Sequence, residues 1–189
     1  MHALTTTKTY ADAELFAMLS GSTSEAQTGL AMLYDRYSQR IFTYCRKITG
    51  NSSAAEDLLQ ETFARFFESA KRVRSAENVA GYLFAIARNQ CLNYKAKRRE
   101  ELVLPEDIEL ASRDRPYEQQ ELLDILGRAL DLLPDDYREA FILREYNGMS
   151  YNEIAETIGV SLDIVKIRLF RAKKKLREIL APYLIDLNV

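Results

Sequence analysis

Apolar residues recur along this chain at intervals of three and four, and that spacing limits its fold more than any other feature. Leu30, Leu33, Tyr37, Ile41, Cys45 and Ile48 form one such series, which puts them on a single stripe of a helix with about 3.6 residues per turn. Leu59, Phe63, Phe66 and Phe67 form a second, and Tyr82, Leu83, Ile86, Cys91 and Leu92 a third. Gly and Pro number only seven and four, too few for a turn-rich all-β chain. Leu, Ala, Glu, Arg and Lys dominate, and these are helix formers. The expected fold class is all-α.

The stop and start signals divide the pattern. A first helix is expected over Asp12–Leu19, ended by Ser20 and Gly21. A second runs from about Ser24 to Ile48 and stops at Thr49-Gly50-Asn51, where Gly50 suits a left-handed C-cap. A third opens at Ser53, with Ser53 and Glu56 as a capping box. The basic loop Lys71-Arg72-Val73-Arg74 leads to a fourth helix over about Asn78–Arg98. Glu100–Glu118 then reads as an acidic linker broken by Pro105 and Pro116. Its 19 residues could reach about 60 Å fully extended. Helices resume near Gln119 and continue to Leu133. Pro134-Asp135-Asp136 opens the next helix, with Pro and two acids at the positive end of its dipole, and Asn147-Gly148 closes it.

The last stretch is the most specific. Ser150 and Glu153 make a capping box for a short helix through Ile158, Gly159 allows a sharp turn, and Ser161 caps a longer helix from Leu162 to about Leu180. A short helix, a glycine turn and a longer basic helix spell a helix-turn-helix. Ala155 is small where the helices approach, and Ile154, Ile158, Val160, Val165 and Leu169 form the core between them. Asp163, Lys166, Ile167, Phe170, Arg171 and Lys174 lie on the opposite face. The predicted organisation is thus two small helical domains, an N-terminal helical bundle (1–99) and a C-terminal helix-turn-helix domain (119–189), joined by an acidic linker (100–118).

The net charge of −2 conceals a strong segregation. Ala70–Arg99 holds eight basic residues against one acid, Glu77, whereas Glu100–Asp124 holds nine acids and two arginines. Ile164–Arg177 holds seven basic residues and no acid. Two basic stretches separated by an acidic one imply two polyanion-contacting surfaces. Cys45 and Cys91 sit far apart in apolar helical patterns and are expected as buried free thiols in a reducing compartment. The one histidine, His2, lies at the N-terminus, so a histidine-based acid–base or triad mechanism has no basis. No metal-ligand spacing, cofactor motif, signal peptide or membrane-length apolar run is found. A cytoplasmic, non-enzymatic protein without metal or cofactor is expected.

AEDLLQETFARFF, NVAGYLFAIARNQCLNYKAKRR and LDLLPDDYREAFILREYNGMSYNEIAETIGVSLDIVKIRLFRAKKKL together resemble the sigma-70 family of transcription initiation factors, in particular its small extracytoplasmic-function (ECF) group. The resemblance covers about residues 10–98 and 120–180. It implies an RNA polymerase sigma factor that directs core polymerase to promoters and helps melt them. By that resemblance the Leu30–Thr49 stretch is the family's first conserved helix. Asp57, Gln60 and Glu61 occupy the place where the family docks on the polymerase clamp helices, and the flap is a further polymerase contact. Lys71, Arg72, Arg74, Asn78, Tyr82, Arg88, Lys95, Lys97 and Arg98 fall where the family reads and melts the minus-ten element. Ser161, Asp163, Ile164, Lys166, Ile167, Arg168, Phe170, Arg171 and Lys174 fall where it reads the minus-thirty-five element. The implied partners are core RNA polymerase, promoter DNA and an anti-sigma factor.

The chain departs from the family pattern at two places. Tyr82 stands where the family usually has Trp, and Ile164 and Ile167 where it typically has Thr and Ser. Isoleucine can touch a thymine methyl but cannot hydrogen-bond a base edge. Two other readings compete. A sigma-like decoy that binds an anti-sigma factor and no DNA would have eroded basic surfaces, and both are intact here. A helix-turn-helix regulator with a sensory N-terminal half would lack the N-terminal motif match.

Overall fold

The computed structural model describes residues 10–73, 76, 78–101 and 125–185, and these contain helices and no strand. The all-α expectation holds across them. The elements are α1 (Asp12–Met18), α2 (Thr23–Thr49), α3 (Ser52–Ala70), α4 (Val79–Glu101), α5 (residues 125–131), α6 (Asp135–Phe141) continuing into a wide turn (Ile142–Tyr146), α7 (Tyr151–Ile158) and α8 (Leu162–Ile185). The chain divides into two compact units, Met1–Arg46 with Asn51–Cys91, and Lys47–Gly50 with Leu92–Val189.

In the first unit most of the predicted stripe positions are buried, but in α4 Tyr82 and Ile86 are half-buried and Leu92, expected in the core, is exposed, Ala87 taking an inner place instead. Leu33, Tyr37, Ile41 and Cys45 of α2, Leu59, Phe63 and Phe66 of α3, and Leu83, Ala87 and Cys91 of α4 all lie in the core. Both cysteines are buried and neither forms a disulfide. Aromatic rings knit the helices together, Phe66 lying 5.7 Å from Phe16 and 5.8 Å from Tyr82 between centroids. Phe67, expected in this core, is only half-buried, and Lys71 lies over its ring.

Polar contacts fasten α1. Asp12 accepts hydrogen bonds from Arg36 and from the Tyr37 hydroxyl, and Ser20 donates to the Ala70 carbonyl at 3.1 Å. Burial, together with the Asp12 carboxylate, pushes the Tyr37 phenol well above its ordinary value, so it remains a donor at working pH. The backbone of α1 also rests on Gly29 of α2, where a Cβ would lie 2.8 Å from the Leu15 carbonyl oxygen and 3.0 Å from the Met18 Cβ. Gly29→Ala should therefore destabilise the protein by roughly 1–2 kcal/mol, the overpacking outweighing the gain in helix propensity. Gly127→Ala, with nothing within 4 Å of the new Cβ, should stabilise it by roughly 0.5–1 kcal/mol. Urea titration of both variants checks the opposite signs.

Two expected boundaries are corrected. The cap of α3 is Asn51, not the Ser53–Glu56 box: its extended backbone lets the side-chain oxygen accept from the Ala54 amide at 2.9 Å. Gly50, with φ of 70°, turns the chain out of α2 so that Asn51 arrives in that position. At its far end α4 continues through Glu101, past the expected stop near Arg98. The remainder of the expected linker, and the helix start near Gln119, lie outside the described residues.

The second unit is built around α8. Ala129, Leu130, Leu133, Ala172 and Leu176 form one core cluster, with Tyr137, Phe141, Tyr146 and Ile179 packed on it. Ile154, Ile158, Val165 and Leu169 are buried as the pattern predicts, while Val160 is only half-buried. The Ser150–Glu153 capping box is present, with bonds of 3.2 and 2.7 Å. Gly159 takes φ of 70° and caps α7 by donating to the Ala155 carbonyl, a conformation that costs other residues dearly. One feature was not foreseen. Ile142–Tyr146 forms a π turn in which the Asn147 amide and side chain both donate to the Ile142 carbonyl, at 3.2 and 3.1 Å. The extra residue in that turn leaves both Leu143 and Met149 facing the core.

Candidate nucleic-acid interface and docking face

The outer side of α3 is polar. Because Leu59, Phe63 and Phe66 take the inner side, Asp57, Gln60 and Glu61 are exposed. Glu61 pairs with Arg65 one turn on, at 2.6 Å, an exposed i,i+4 pair that contributes a few tenths of a kcal/mol. The acids Glu56 and Glu68 are also exposed on this helix.

The residues assigned to the minus-ten element follow α3 and continue along α4. Lys71 and Arg72 are exposed in the turn that ends α3. Lys71 places its ammonium 4.7 Å from the Phe67 ring centroid. Arg74 lies outside the described residues. Asn78 serves as the N-cap of α4, its side-chain oxygen accepting from the Gly81 amide at 2.7 Å. Tyr82 is half-buried, its ring against Phe66 and Phe16. Arg88 and Lys95 are half-buried, while Lys97, Arg98 and Arg99 are exposed. Arg98 donates to the Tyr94 hydroxyl at 3.5 Å. The exposed cations Lys97, Arg98 and Arg99 are therefore concentrated at the C-terminal end of α4, where they also complement the helix dipole.

In the helix-turn-helix, Ser161 caps α8 through the Ile164 amide at 3.4 Å. Val165, Leu169, Ala172 and Leu176 anchor its inner side. At about 100° per residue, Asp163, Ile167, Phe170 and Lys174 point away from that core, and all four are exposed. Arg168 does not join them. Its guanidinium turns back to Asp136 of α6 at 3.3 Å and is largely covered. Arg171 donates to the Tyr137 hydroxyl at 3.0 Å. That bond holds its guanidinium above even the usual arginine range. Lys166 pairs with Asp163 at 3.0 Å, Lys173 with Glu145 at 2.8 Å and Lys174 loosely with Glu178 at 3.9 Å.

Three long-range partners escaped the sequence reading: Asp135, which pairs with Lys95 of α4 at 2.7 Å, Asp136 and Tyr137. Each lies more than thirty positions from the cation it holds, and no local pattern links them. Among the described residues no group of three or more His, Cys, Asp or Glu could hold a metal ion, and no helix is long and apolar enough to cross a membrane.

Family models match both units of the pattern in order, Sigma-70 region 2 over residues 33–101 and Sigma-70, region 4 over residues 123–176. The chain is 35% identical over 159 residues to the ECF RNA polymerase sigma factor SigE of Mycolicibacterium smegmatis, covering 80% of this chain and 61% of SigE. It is 30% identical over 150 residues to SigM of Bacillus subtilis, covering 77% of this chain and 91% of SigM. It is 33% identical over 135 residues to EcfG of Rhodopseudomonas palustris, with 70% and 75% covered. Among solved structures, the sigma factor RpoE in complex with the anti-sigma factor NepR from Bartonella quintana superposes with a TM-score of 0.69 at 27% identity, covering 80% of this chain and 96% of that one. CnrH, solved with the cytosolic domain of CnrY, shares the fold at a TM-score of 0.66 and 21% identity, covering 95% of this chain and 100% of that one. With region 2 and region 4 in order and SigM and EcfG matched over most of their length, the chain belongs to the ECF group of the sigma-70 family, the RNA polymerase sigma factors.

Proposed function

We propose that this sigma factor docks on the polymerase clamp helices through Asp57, Gln60 and Glu61, and reads promoters with two separate surfaces. Residues 1–99 form the docking and minus-ten domain, 100–118 the tether, and 119–189 the minus-thirty-five domain. Lys71, Arg72, Arg74, Arg88, Lys95, Lys97 and Arg98 supply phosphate contacts for the opened strand. Melting costs a few kcal/mol per extruded base, which contacts to that strand must offset. Tyr82 gives the unpaired strand a ring edge at the rim of the core. Asn78 acts through the fold of α4 rather than through DNA, since its side chain already caps that helix. The protein works in the cytoplasm as a non-enzymatic subunit. An anti-sigma factor is its regulatory partner, by analogy with the complex of RpoE with NepR.

The observation that carries the reading is the outward face of α8. It projects from a capped helix-turn-helix, with Arg171 and Lys174 exposed beside Ile167. Run-off transcription with core polymerase on genomic fragments tests it, and the expected result is promoter-specific transcripts that depend on this protein. Arg171→Ala should lose about 1–3 kcal/mol of binding at promoters carrying one preferred upstream base. Lys174→Ala should weaken every promoter alike and lower the salt slope by about 1. Identical behaviour of the two variants on every upstream sequence would remove the distinction between reading and positioning residues.

A further inference from the structure

The reading face of α8 is unusually apolar. Ile164 is 41% exposed, Ile167 49% and Phe170 71%, spaced one turn apart along the first nine residues of the helix. Single exposed apolar side chains are ordinary, but here three in register point away from the buried Val165, Leu169 and Ala172. The neighbouring polar groups already have partners. Lys166 is drawn to Asp163, Arg168 to Asp136, Lys173 to Glu145 and Arg171 to the Tyr137 hydroxyl. The N-terminal turns of the helix, the part of a recognition helix that meets base edges, therefore present Ile164 and Ile167 beside the exposed Asp163–Lys166 pair, with Phe170, Arg171 and Lys174 further along.

Major-groove chemistry decides what such a face can read. Adenine, guanine and cytosine present only donors and acceptors there, and thymine alone adds a methyl group. Isoleucine against a purine edge or a cytosine amine strips water from a polar group and returns no hydrogen bond. Against thymine it buries two apolar surfaces at once. The cations along the same helix suit the phosphates on either side and commit the face to DNA rather than to an apolar protein groove.

Resting on the assignment of α8 to the upstream element, we infer that Ile164 and Ile167 select thymine by its C5-methyl group, with Phe170 covering the next position along the groove. Specificity at these positions arises from the methyl and from the cost of burying the other bases' polar edges. Arg171, steadied by Tyr137, supplies a hydrogen-bonding reading beside them.

The test begins with a promoter library randomised over the upstream element and selected by run-off transcription with core polymerase and this protein. Each thymine of the selected element is then replaced singly by deoxyuridine, which keeps every hydrogen-bonding group and removes only the methyl. Promoter binding should fall about fourfold at the positions facing Ile164 and Ile167, the value of one buried methyl-sized group. Ile167→Ala, a surface truncation, should abolish the deoxyuridine effect at one position, and Lys174→Ala should leave it in place. Indifference to deoxyuridine at every thymine would overturn the inference while leaving the sigma-factor reading intact. So would an unchanged deoxyuridine response in both Ile164→Ala and Ile167→Ala, or a selected element without thymine in that segment. Failure to initiate from any library member would instead remove the DNA-reading assignment on which the inference rests.

Discussion

Asp57→Arg combined with Gln60→Ala should weaken binding to core polymerase by about 30-fold or more, while the free protein keeps its helical content and melting temperature. Both side chains are exposed on α3, so their loss costs the isolated fold within about 0.5 kcal/mol. An arginine at position 57 even stands one turn from Glu61, a spacing that tolerates an opposite-charge pair. In a desolvated interface the same change places a cation where an anion is matched. Breaking a buried charged contact there costs about 2–5 kcal/mol, each 1.4 kcal/mol being tenfold. Glu61→Gln should do less, because Arg65 already shares that carboxylate. Titration of labelled core polymerase, beside circular dichroism of the free variants, measures both halves. Unchanged affinity in the double variant would remove α3 as the docking face.

Phe66→Ala should be the most damaging single truncation in the first unit, lowering stability by about 3–5 kcal/mol. Its side chain is fully buried and its ring meets Phe16, Phe63 and Tyr82. Edge-to-face and tilted pairs of this kind are worth about 0.5–1.5 kcal/mol each beyond burial. Loss of Phe66 therefore loosens α1, α3 and α4 together. For a unit of this size the midpoint should fall by roughly 12 °C or more. Phe67→Ala, one residue on, removes a half-buried ring capped by Lys71 and should cost only about 1 kcal/mol. Thermal melts followed at 222 nm compare the two. Equal losses would mean that the aromatic contacts are not the centre of this core.

The parts of the fold legible in the sequence are those set by local chemistry. The stripes through Leu33, Tyr37 and Ile41, and through Ile154, Ile158, Val165 and Leu169, are buried because helical spacing alone groups them. The Ser150–Glu153 box and the turn at Gly159 are equally local. Where two local signals compete, the sequence is ambiguous. Ser53–Glu56 and Asn51 could each cap α3, and the left-handed Gly50 decides for Asn51. The expected end of α8 near Leu180 is also passed, the helix carrying Pro182 and reaching Ile185. Long-range partners are invisible to periodicity. Arg168 sits in a basic run that reads as a DNA contact, and only the fold brings Asp136 to it. The π turn depends on the Asn147 side chain folding back onto the Ile142 carbonyl, which no spacing rule announces. The proposed docking residues rest on resemblance alone, since three polar residues on a helix face are otherwise a common solvated surface.

The attachment of α1 sets a schedule for synthesis. Phe16 is made before its ring partners Phe66 and Tyr82, which follow 50 and 66 residues later. At roughly 5–20 residues per second, the ribosome needs roughly 3–13 s to make the second of them. Until Phe66 and Tyr82 are made, Leu15, Phe16 and Leu19, all buried in the finished fold, have α2 alone to pack against. The helix α1 is thus only partly covered for several seconds of each round of translation. Slow codons placed between positions 66 and 82 would lengthen that exposure without changing a single amino acid.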